Sequence, residues 1–225
     1  MTKFLLILAV LTSVLFAAWV VGRLTNTIQF YTTPSSANAP TYVVGDYLLA
    51  TSLRQPKRGD FVAYHPLVPD GELTVYMHRL VASAGDEVLI RRGQLFVNGH
   101  LADRGRSLAF SYCLSRADYK RLPPTAIADS SRAMPVGDSI REVMLAETMV
   151  QQLGRRIRRQ VQPLLPADEH IAQQYGRPWN QDNFGPLRVP AGHFFVLGDN
   201  RSNALDSRYQ GCLPQARWLG TMLRH

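Results

Sequence analysis

The chain has 225 residues, of which 46% are hydrophobic and 19% are charged, and this composition excludes an intrinsically disordered protein. Its formal net charge of +8 indicates a negatively charged partner, for which anionic lipid headgroups and nucleic acid both qualify. The two cysteines, Cys113 and Cys212, have no CxxC spacing that would indicate a zinc or redox site. One disulfide and two free thiols both fit the sequence.

An apolar segment begins the chain and runs without a charge from Phe4 to Val21. As a helix rising about 1.5 Å per residue it would cross a hydrocarbon layer of about 30 Å. A cleaved signal peptide and a buried core helix are the alternatives, but the apolar run continues past Ala17 and Ala18, where a cut after small residues would fall. We therefore predict a membrane anchor over residues 1–23. Lys3 favours a cytoplasmic N-terminus, which predicts a single-pass inner (cytoplasmic) membrane protein whose main domain is periplasmic or extracellular.

Short apolar runs separated by Gly-Asp turns follow the anchor and predict antiparallel β structure. Residues Leu24–Tyr31 look extended and are expected close to the bilayer, and Asn98-Gly99 is a hairpin signal. The predicted strands are Tyr42–Val44, Tyr47–Thr51, Phe61–Tyr64, Thr74–Ala82, Glu87–Arg91, Gln94–Val97, Pro186–Val189 and His193–Leu197.

Residues 104–182 differ from this pattern, because strand signals fade and one amphipathic helix is predicted. Ser139 and Glu142 form a capping box, apolar residues recur at helical spacing from Val143 to Val161, and Pro163 ends the pattern. The helix carries four arginines that would either bind phosphate groups or form a solvated face: Arg155, Arg156, Arg158 and Arg159.

The predicted architecture is mainly β, with antiparallel coiled sheets, an α-containing insert and one N-terminal transmembrane helix. Its parts are the membrane anchor (1–23), the first half of the β core (24–103), the helical insert or cap (104–182) and the second half of the β core (183–225). No internal repeat is present.

Three separated stretches have a diagnostic order and spacing. The first is PSSANAPT from Pro34 to Thr41, the second is YMHR from Tyr76 to Arg79, and the third is GHFFVLGDNRSNALDSRYQG from Gly192 to Gly211. Together they resemble the boxes of the type I signal peptidase (leader peptidase) family, and the resemblance extends over nearly everything except the insert. It implies a signal-peptidase-like β fold.

The resemblance also implies an activity, the removal of signal peptides by a serine endopeptidase. In the family a serine hydroxyl attacks the carbonyl after a small-x-small sequence, and a lysine that burial keeps neutral takes the proton. The matching positions here are Ala37 for the nucleophile, His78 for the general base, Ala204 for the base-orienting serine, and Ser35 for the oxyanion, with Asp206 and Arg208 retained. The implied substrate-binding residues are Pro34, Ser36, Asn38, Pro40, Tyr76 and Met77.

The substitutions predict a signal peptidase-like protein that recognises signal peptides or other extended segments of exported proteins without efficient cleavage, because Ala37 has no hydroxyl. One alternative is an active Ser/His enzyme, with His78 and Asp206, in which a serine at position 37 has been replaced. Another is a displaced nucleophile, Ser36 or Ser35, although a shift of one residue on an extended strand reverses the direction of the side chain. A satisfied, partly buried His78 without a role in proton transfer is equally open.

A binding module is the interpretation from a different class, as an accessory subunit of a secretion, pilus or conjugation system. The lipid bilayer is the other predicted partner. Nucleic acid is not predicted, since no groove of basic and aromatic residues lies near the boxes. No metal or organic cofactor is predicted, because His78 has no companion ligands at coordinating spacing and neither a Ser-Lys nor a Ser-His mechanism needs one.

Overall fold

The computed structural model describes residues 2–25, 27–67, 74–123, 134–136, 140–153 and 157–223, which contain fifteen strands, five α-helices and two single-turn 3₁₀ helices. The helices are α1 (Thr2–Leu24), α2 (Arg116–Lys120), α3 (Glu147–Leu153), α4 (Glu169–Tyr175) and α5 (Ser207–Gln210). The strands are β1 (Ile28–Thr32), β2 (Tyr47–Thr51), β3 (Phe61–Tyr64), β4 (Tyr76–Ser83), β5 (Glu87–Arg91), β6 (Gln94–Val97), β7 (His100–Leu101), β8 (Ala109–Ser115), β9 (Met134–Val136), β10 (Ile140–Ala146), β11 (Arg158–Arg159), β12 (Phe184–Arg188), β13 (His193–Leu197), β14 (Leu213–Pro214) and β15 (Trp218–Met222).

A seven-stranded antiparallel sheet, in the order β1-β2-β15-β3-β4-β13-β14, forms the centre of the fold. Strand β3 is buried at all four residues, because both faces of the sheet are covered. Phe61 and Ala63 pack on one face with Leu48, Met77 and other apolar residues. Val62 and Tyr64 pack on the other, in a cluster with Leu80, Phe194, Val196 and Leu213. Burial on both faces explains why β3 is apolar throughout and does not alternate.

A second, four-stranded sheet has the order β12-β5-β6-β7 and packs through Val88, Ile90 and Leu95 on the core that contains Phe195 and Leu197. The predicted hairpin at Asn98-Gly99 is confirmed, since this turn joins β6 to β7. Asn98 has φ 52° and Gly99 has φ 77°, the positive values that a tight hairpin turn of this kind requires.

The third sheet, in the order β11-β8-β10-β9, belongs to the insert and corrects the helix prediction. Residues Ile140–Ala146 are not helical but pair along their whole length with β8, and of the described residues between 140 and 161 only Glu147–Leu153 is a helix. Val143 and Leu145 are fully buried in a cluster with four residues of β8 and its approach, Leu108, Phe110, Tyr112 and Leu114. The partner strand supplies the burial that fixes β structure here, and a local capping pattern cannot show it. The expectation that β structure fades over residues 104–182 is therefore also wrong, since β8, β9, β10 and β11 lie there.

The arginines of the predicted helix have separate positions. Arg158 is exposed on β11, whereas Arg159 is half-buried and its guanidinium carbon lies 3.2 Å from the centre of the Phe110 ring. Arg159 also donates through Nη2 to the carbonyl of Gly93, at 3.2 Å, so it joins the insert to the second sheet. Ser139, Arg155 and Arg156 lie outside the described residues.

The predicted strands of the core agree with the structure at most positions. Five strands have the predicted bounds: β2, β3, β5, β6 and β13. Strand β4 begins two residues later than predicted, and β12 begins two residues earlier. The strand predicted over Tyr42–Val44 is wrong. These residues form a turn, which Asp46 stabilises by accepting a hydrogen bond from the backbone N–H of Val43 at 2.8 Å, because a short carboxylate side chain reaches its own local backbone.

The N-terminal helix α1 is long and apolar enough to cross a membrane over Lys3–Gly22. Strand β1 follows it almost directly, and the backbone N–H of Thr27 donates to the carbonyl of Gly22 at 2.9 Å. The segment Leu24–Tyr31, predicted to be extended, is thus a helix end followed by a strand. With curled antiparallel sheets, short insert helices and this apolar helix, the predicted fold class is confirmed. The domain boundaries remain predictions.

Candidate active-site cleft

A cleft of about 590 Å³ collects the residues of the first two boxes. Residues 33–38 form one wall and residues 74–78 form the other, while Asn203 and Leu205 reach in from the third box. The predicted site residues that line it are Pro34, Ser35, Ser36, Ala37, Asn38, Tyr76, Met77 and His78. The remaining four, Pro40, Ala204, Asp206 and Arg208, are not among the lining residues and lie behind or beside the walls.

The first wall carries Ala37 on a single 3₁₀ turn, Ser36–Asn38. Asn200 of the third box holds this turn from behind. Its backbone N–H donates to the carbonyl of Ala37 at 3.0 Å, and its side-chain Nδ2 donates to the carbonyl of Ser36 at 3.1 Å. The position of the Ala37 methyl group is therefore set by the third box as well as by the local turn.

Two further amide side chains connect the walls of the cleft. Asn38 donates through Nδ2 to the carbonyl of Met77, at 2.6 Å, and so joins the first wall to β4. Asn203 donates through Nδ2 to the hydroxyl of Ser36, at 3.0 Å. Ser36 is buried whereas Ser35 is exposed, so the two serines weighed as displaced nucleophiles point into different surroundings.

His78 lies on β4 and is only 2% exposed. The hydroxyl of Tyr64, on the neighbouring strand β3, lies 2.7 Å from its Nδ1. Burial lowers the pKa of His78 to about 4, and Arg208 adds to this effect while Asp206 and Asp199 oppose it. His78 is consequently a neutral imidazole at neutral pH.

Asp206 and Arg208 form a buried ion pair rather than a relay to His78. The carboxylate of Asp206 accepts from Arg208 Nε at 2.9 Å and from Arg208 Nη2 at 2.8 Å, and it also accepts from the backbone N–H of Gly198 at 3.1 Å. Burial raises the pKa of Asp206, but the Arg208 guanidinium and these hydrogen bonds outweigh it and hold the pKa below its ordinary value. Within the described part of the chain no hydrogen bond joins Asp206 to His78, whose Nδ1 is bound by Tyr64.

Gly198 is the point at which the three substituted positions meet. A Cβ atom built on Gly198 would lie 2.3 Å from Ala204 Cβ, 2.5 Å from the carbonyl oxygen of Ala37 and 3.3 Å from His78 Cδ2. The structure thus brings together Ala37, His78 and Ala204, which are far apart in the sequence, around a residue that has no side chain. No room is left for a side chain at Gly198.

Asp199 joins the three boxes at a second point that the sequence analysis missed. It is completely buried, accepts from Arg79 Nε at 2.8 Å and from Arg79 Nη2 at 2.5 Å, and accepts a third hydrogen bond from the hydroxyl of Thr41. Thr41 belongs to the first box, Arg79 to the second and Asp199 to the third. The sequence signal that could have predicted this contact is the presence of opposite charges in two boxes, Arg79 in the second and Asp199 in the third.

Tyr64, Gly198, Asn200 and Asn203 were likewise not predicted as site residues, although they contact the residues that were. Gly198 lies inside the third box, where its Gly-Asp-Asn sequence reads as an ordinary turn. Tyr64 lies outside all three boxes, and in the sequence it is one more aromatic residue of a predicted strand, so no local signal distinguishes it.

Neither metal ligation nor a disulfide is formed by the described residues. Among them, no group of three or more His, Cys, Asp or Glu side chains is arranged to hold a metal ion. Cys113 and Cys212 are both free thiols, so of the two alternatives left by the sequence the structure has the unpaired one.

Comparison with known proteins identifies one family, and the chain spans about 57–71% of the length of the first relatives that it matches. The family described as "Signal peptidase, peptidase S26" matches residues 4–224. A probable signal peptidase I-2 of Synechocystis sp. is 25% identical over 194 residues, which cover 83% of this chain and 57% of that protein. Signal peptidase I of Aquifex aeolicus is 28% identical over 206 residues, which cover 83% and 71% respectively. A crystal structure of a signal peptidase I from Enterococcus faecalis V583 aligns with 76% of this chain and 98% of its own, at 20% identity and a TM-score of 0.36.

Proposed function

The chain belongs to the signal peptidase family, peptidase S26, whose profile covers residues 4–224, and from this premise we propose that it binds signal peptides or other extended segments of exported proteins without cleaving them efficiently. The proposed ligand is the segment of an exported protein that surrounds a small-x-small sequence. In this proposal the recognition surface of a signal peptidase is kept, while the group that would attack the scissile carbonyl is not.

The observation that carries the proposal is the position of Ala37. It lies in the cleft wall on a turn held by Asn200 and shares the cleft with His78. A methyl group cannot attack a carbonyl, and loss of the nucleophile from an acyl-transfer site costs several orders of magnitude in rate. Ser36 does not replace it in this proposal, because its hydroxyl is turned to Asn203.

The edge of β4 supports binding of an extended segment. Leu80 exchanges hydrogen bonds with the β3 side of the sheet, accepting from Gly59 at 2.8 Å and donating to Asp60 at 2.8 Å. Because backbone direction alternates along a strand, Met77 directs its N–H and C=O to the opposite side, where the C=O accepts from Asn38 and the N–H faces the cleft. Strand β13 pairs with β4 only as far as Arg79, so the backbone around Met77 offers an edge to which a peptide strand can add.

A membrane location is the second part of the proposal. Helix α1 is a candidate span, and the apolar side chains of Phe30, Val43, Val44 and Tyr47, exposed by 52–76%, lie on or beside β1 and β2, the strands that follow it. Apolar surface next to a span favours contact with lipid. We propose a single-pass inner membrane protein with the β domain on the periplasmic or extracellular side.

Peptide binding by the detergent-solubilised full chain tests the proposed function. A fluorescent peptide with an Ala-x-Ala site should bind saturably, as measured by anisotropy, and should remain intact by mass spectrometry. Ser35→Arg places a bulky cation on the exposed wall of the cleft and should weaken binding at least tenfold. Ala191→Arg adds the same group at an exposed position away from the cleft and should bind like the unchanged chain.

Two outcomes would contradict the proposal. One is cleavage after the small-x-small site that disappears in His78→Ala, which would establish an active peptidase. The other is equal binding by the Ser35→Arg and Ala191→Arg variants, which would place recognition outside the cleft. For the membrane part, the full chain should float with phospholipid vesicles in a density gradient, and a variant with Leu11→Arg and Val14→Arg in α1 should float less, since each arginine costs about 3 kcal/mol at the centre of a span.

A further inference from the structure

We propose that Tyr64 fixes the tautomer of His78, so that Nε2 carries the ring proton and presents a hydrogen-bond donor, not a basic lone pair, to a backbone carbonyl of the segment bound in the cleft. Tyr64 is a positioning residue in this proposal. The tautomer stands on the geometry alone, and only the identity of the acceptor rests on the proposed function.

The pairing of β3 with β4 places the two side chains on one face of the sheet. Val62 lies opposite His78 and Tyr64 lies opposite Tyr76, so Tyr64 and His78 are diagonal neighbours, a separation that an aromatic side chain can span. The centres of the two rings are 5.9 Å apart, and the hydroxyl lies 2.7 Å from Nδ1. This distance is typical of a full hydrogen bond.

The hydroxyl of Tyr64 has one hydrogen-bond partner within the described residues, and that partner is His78 Nδ1. Tyr64 is 2% exposed and packs among apolar side chains such as Val62, Leu80 and Val196. If Nδ1 carried the proton and donated it, the phenolic O–H would have no acceptor in a buried apolar setting, which is unfavourable. If the phenol donates, both groups are satisfied, and a neutral imidazole then has its proton on Nε2.

The ionisation states of the two groups agree with this assignment. Burial lowers the pKa of His78 to about 4, so the doubly protonated ring is not populated at neutral pH. Burial also raises the pKa of Tyr64 well above its ordinary value, with Asp206 and Tyr76 adding to the effect, so the phenol keeps the proton that it donates. Asp206 does not compete for the ring, because its oxygens accept from Arg208 and Gly198.

His78 is among the residues that line the cleft, and Nε2 is the ring nitrogen that Tyr64 does not bind. Since Nδ1 is turned to Tyr64, the Nε2–H is the polar group that remains for a ligand. A bound extended segment offers backbone carbonyls as acceptors, whereas a general base at this position would need the lone pair that Nε2–H lacks.

Nitrogen NMR of the full chain, labelled with ¹⁵N-histidine and held in detergent micelles, tests the tautomer without any peptide. The chain has six histidines, and the His78 signals are assigned by their loss in His78→Gln. At pH 7 we expect the Nδ1 shift of an unprotonated nitrogen and the Nε2 shift of a protonated one. The reverse pattern would overturn the proposal. In Tyr64→Phe the two ring nitrogens should move toward averaged shifts; unchanged shifts in a folded variant would show that Tyr64 does not set the tautomer.

The acceptor is tested in a separate measurement. Saturation with the Ala-x-Ala peptide should move the His78 Nε2–H proton resonance downfield, and the same peptide should not do so in Ser35→Arg. An unmoved Nε2–H signal at saturation would overturn the role as donor while leaving peptide binding intact, so the two failures are distinguishable. Hydrolysis of the peptide by Ala37→Ser that is lost in the additional variant His78→Gln would show that His78 accepts a proton, and this would also overturn the proposal.

Discussion

The carboxylate of Asp206 and the guanidinium of Arg208 face each other through two hydrogen bonds of 2.9 and 2.8 Å, and the two side chains are 0% and 1% exposed. The same carboxylate accepts from the backbone N–H of Gly198. The ion pair therefore supports the segment on which the positions of Ala37, His78 and Ala204 converge.

Breaking this ion pair should strongly destabilise the fold. Asp206→Asn keeps the size of the side chain but leaves Arg208 buried without its counter-charge, and we expect a loss of about 3–5 kcal/mol in the free energy of unfolding. Urea denaturation followed by tryptophan fluorescence measures it. The double variant Asp206→Asn/Arg208→Met should lose less free energy of unfolding than the two single variants added together, because no unpaired charge is then left buried. Additive losses would mean that the two groups do not interact.

A methyl group at position 198 should disturb the site itself. The added Cβ of Gly198→Ala would lie 2.3 Å from Ala204 Cβ and 2.5 Å from the Ala37 carbonyl oxygen, so the walls must move, at a cost of about 1–3 kcal/mol. Peptide affinity should fall with it. Gly220→Ala is the comparison variant, because its Cβ would meet Ala50 Cβ and the Thr51 backbone at 3.3 Å, about 1 Å farther than the contacts at Gly198, and should cost less stability without lowering peptide affinity. Equal effects of the two substitutions would remove the special role of Gly198.

Acid should destabilise the chain through His78. Its pKa is lowered to about 4 in the folded protein, against about 6.5 when unfolded, so unfolding takes up a proton between these values and stability falls as the pH falls through that range. From pH 7 to pH 5 the contribution is about 2 kcal/mol. Asp206, whose pKa is also lowered, keeps its contribution in this range and loses it only at more acidic pH. Denaturation at both pH values should show the loss in the unchanged chain and not in His78→Gln; parallel losses would contradict the buried neutral ring.

The thiol of Cys212 should react slowly with alkylating reagents. Burial raises its pKa to about 11, and the thiolate is the reacting species, so the rate of iodoacetamide modification should rise about tenfold per pH unit between pH 8 and pH 10. Peptide mass spectrometry of a Cys113→Ser variant, which isolates Cys212, measures the rate. A rate that levels off near pH 8 would contradict the raised pKa of Cys212. Non-reducing mass analysis of the unchanged chain should find both thiols free.

The sequence predicted the part of the site in which each side chain follows from a local pattern. Residues 34–38 and 76–78 were expected together because their boxes have a characteristic order, and they line one cleft. Roles assigned to them by family resemblance remain predictions. Tyr64 could not be found in this way, because its significance comes from a diagonal contact across two strands, and strand registers are not visible in a single sequence.

The failure at Ile140–Ala146 has a related cause. Its apolar residues fit a helical spacing about as well as an alternating one, and a short apolar segment of this kind is ambiguous. The pairing with Ala109–Ser115 decides between them, and that strand went unrecognised. An error at one strand thus propagated to its partner, whereas the core strands between Gly-Asp turns were bounded by signals of their own.

Strand β15 is synthesised last among the strands of the central sheet, yet it lies in the middle of that sheet. It inserts between β2 and β3, so residues 218–222 separate two strands translated more than 150 residues earlier. During synthesis, the edge of β3 that pairs with β15 therefore has no partner strand until residues 218–222 have been made. Long-range pairing of this kind is slow and exposes strand edges in the meantime. The central sheet that carries the cleft is therefore complete only after residues 218–222 have been made.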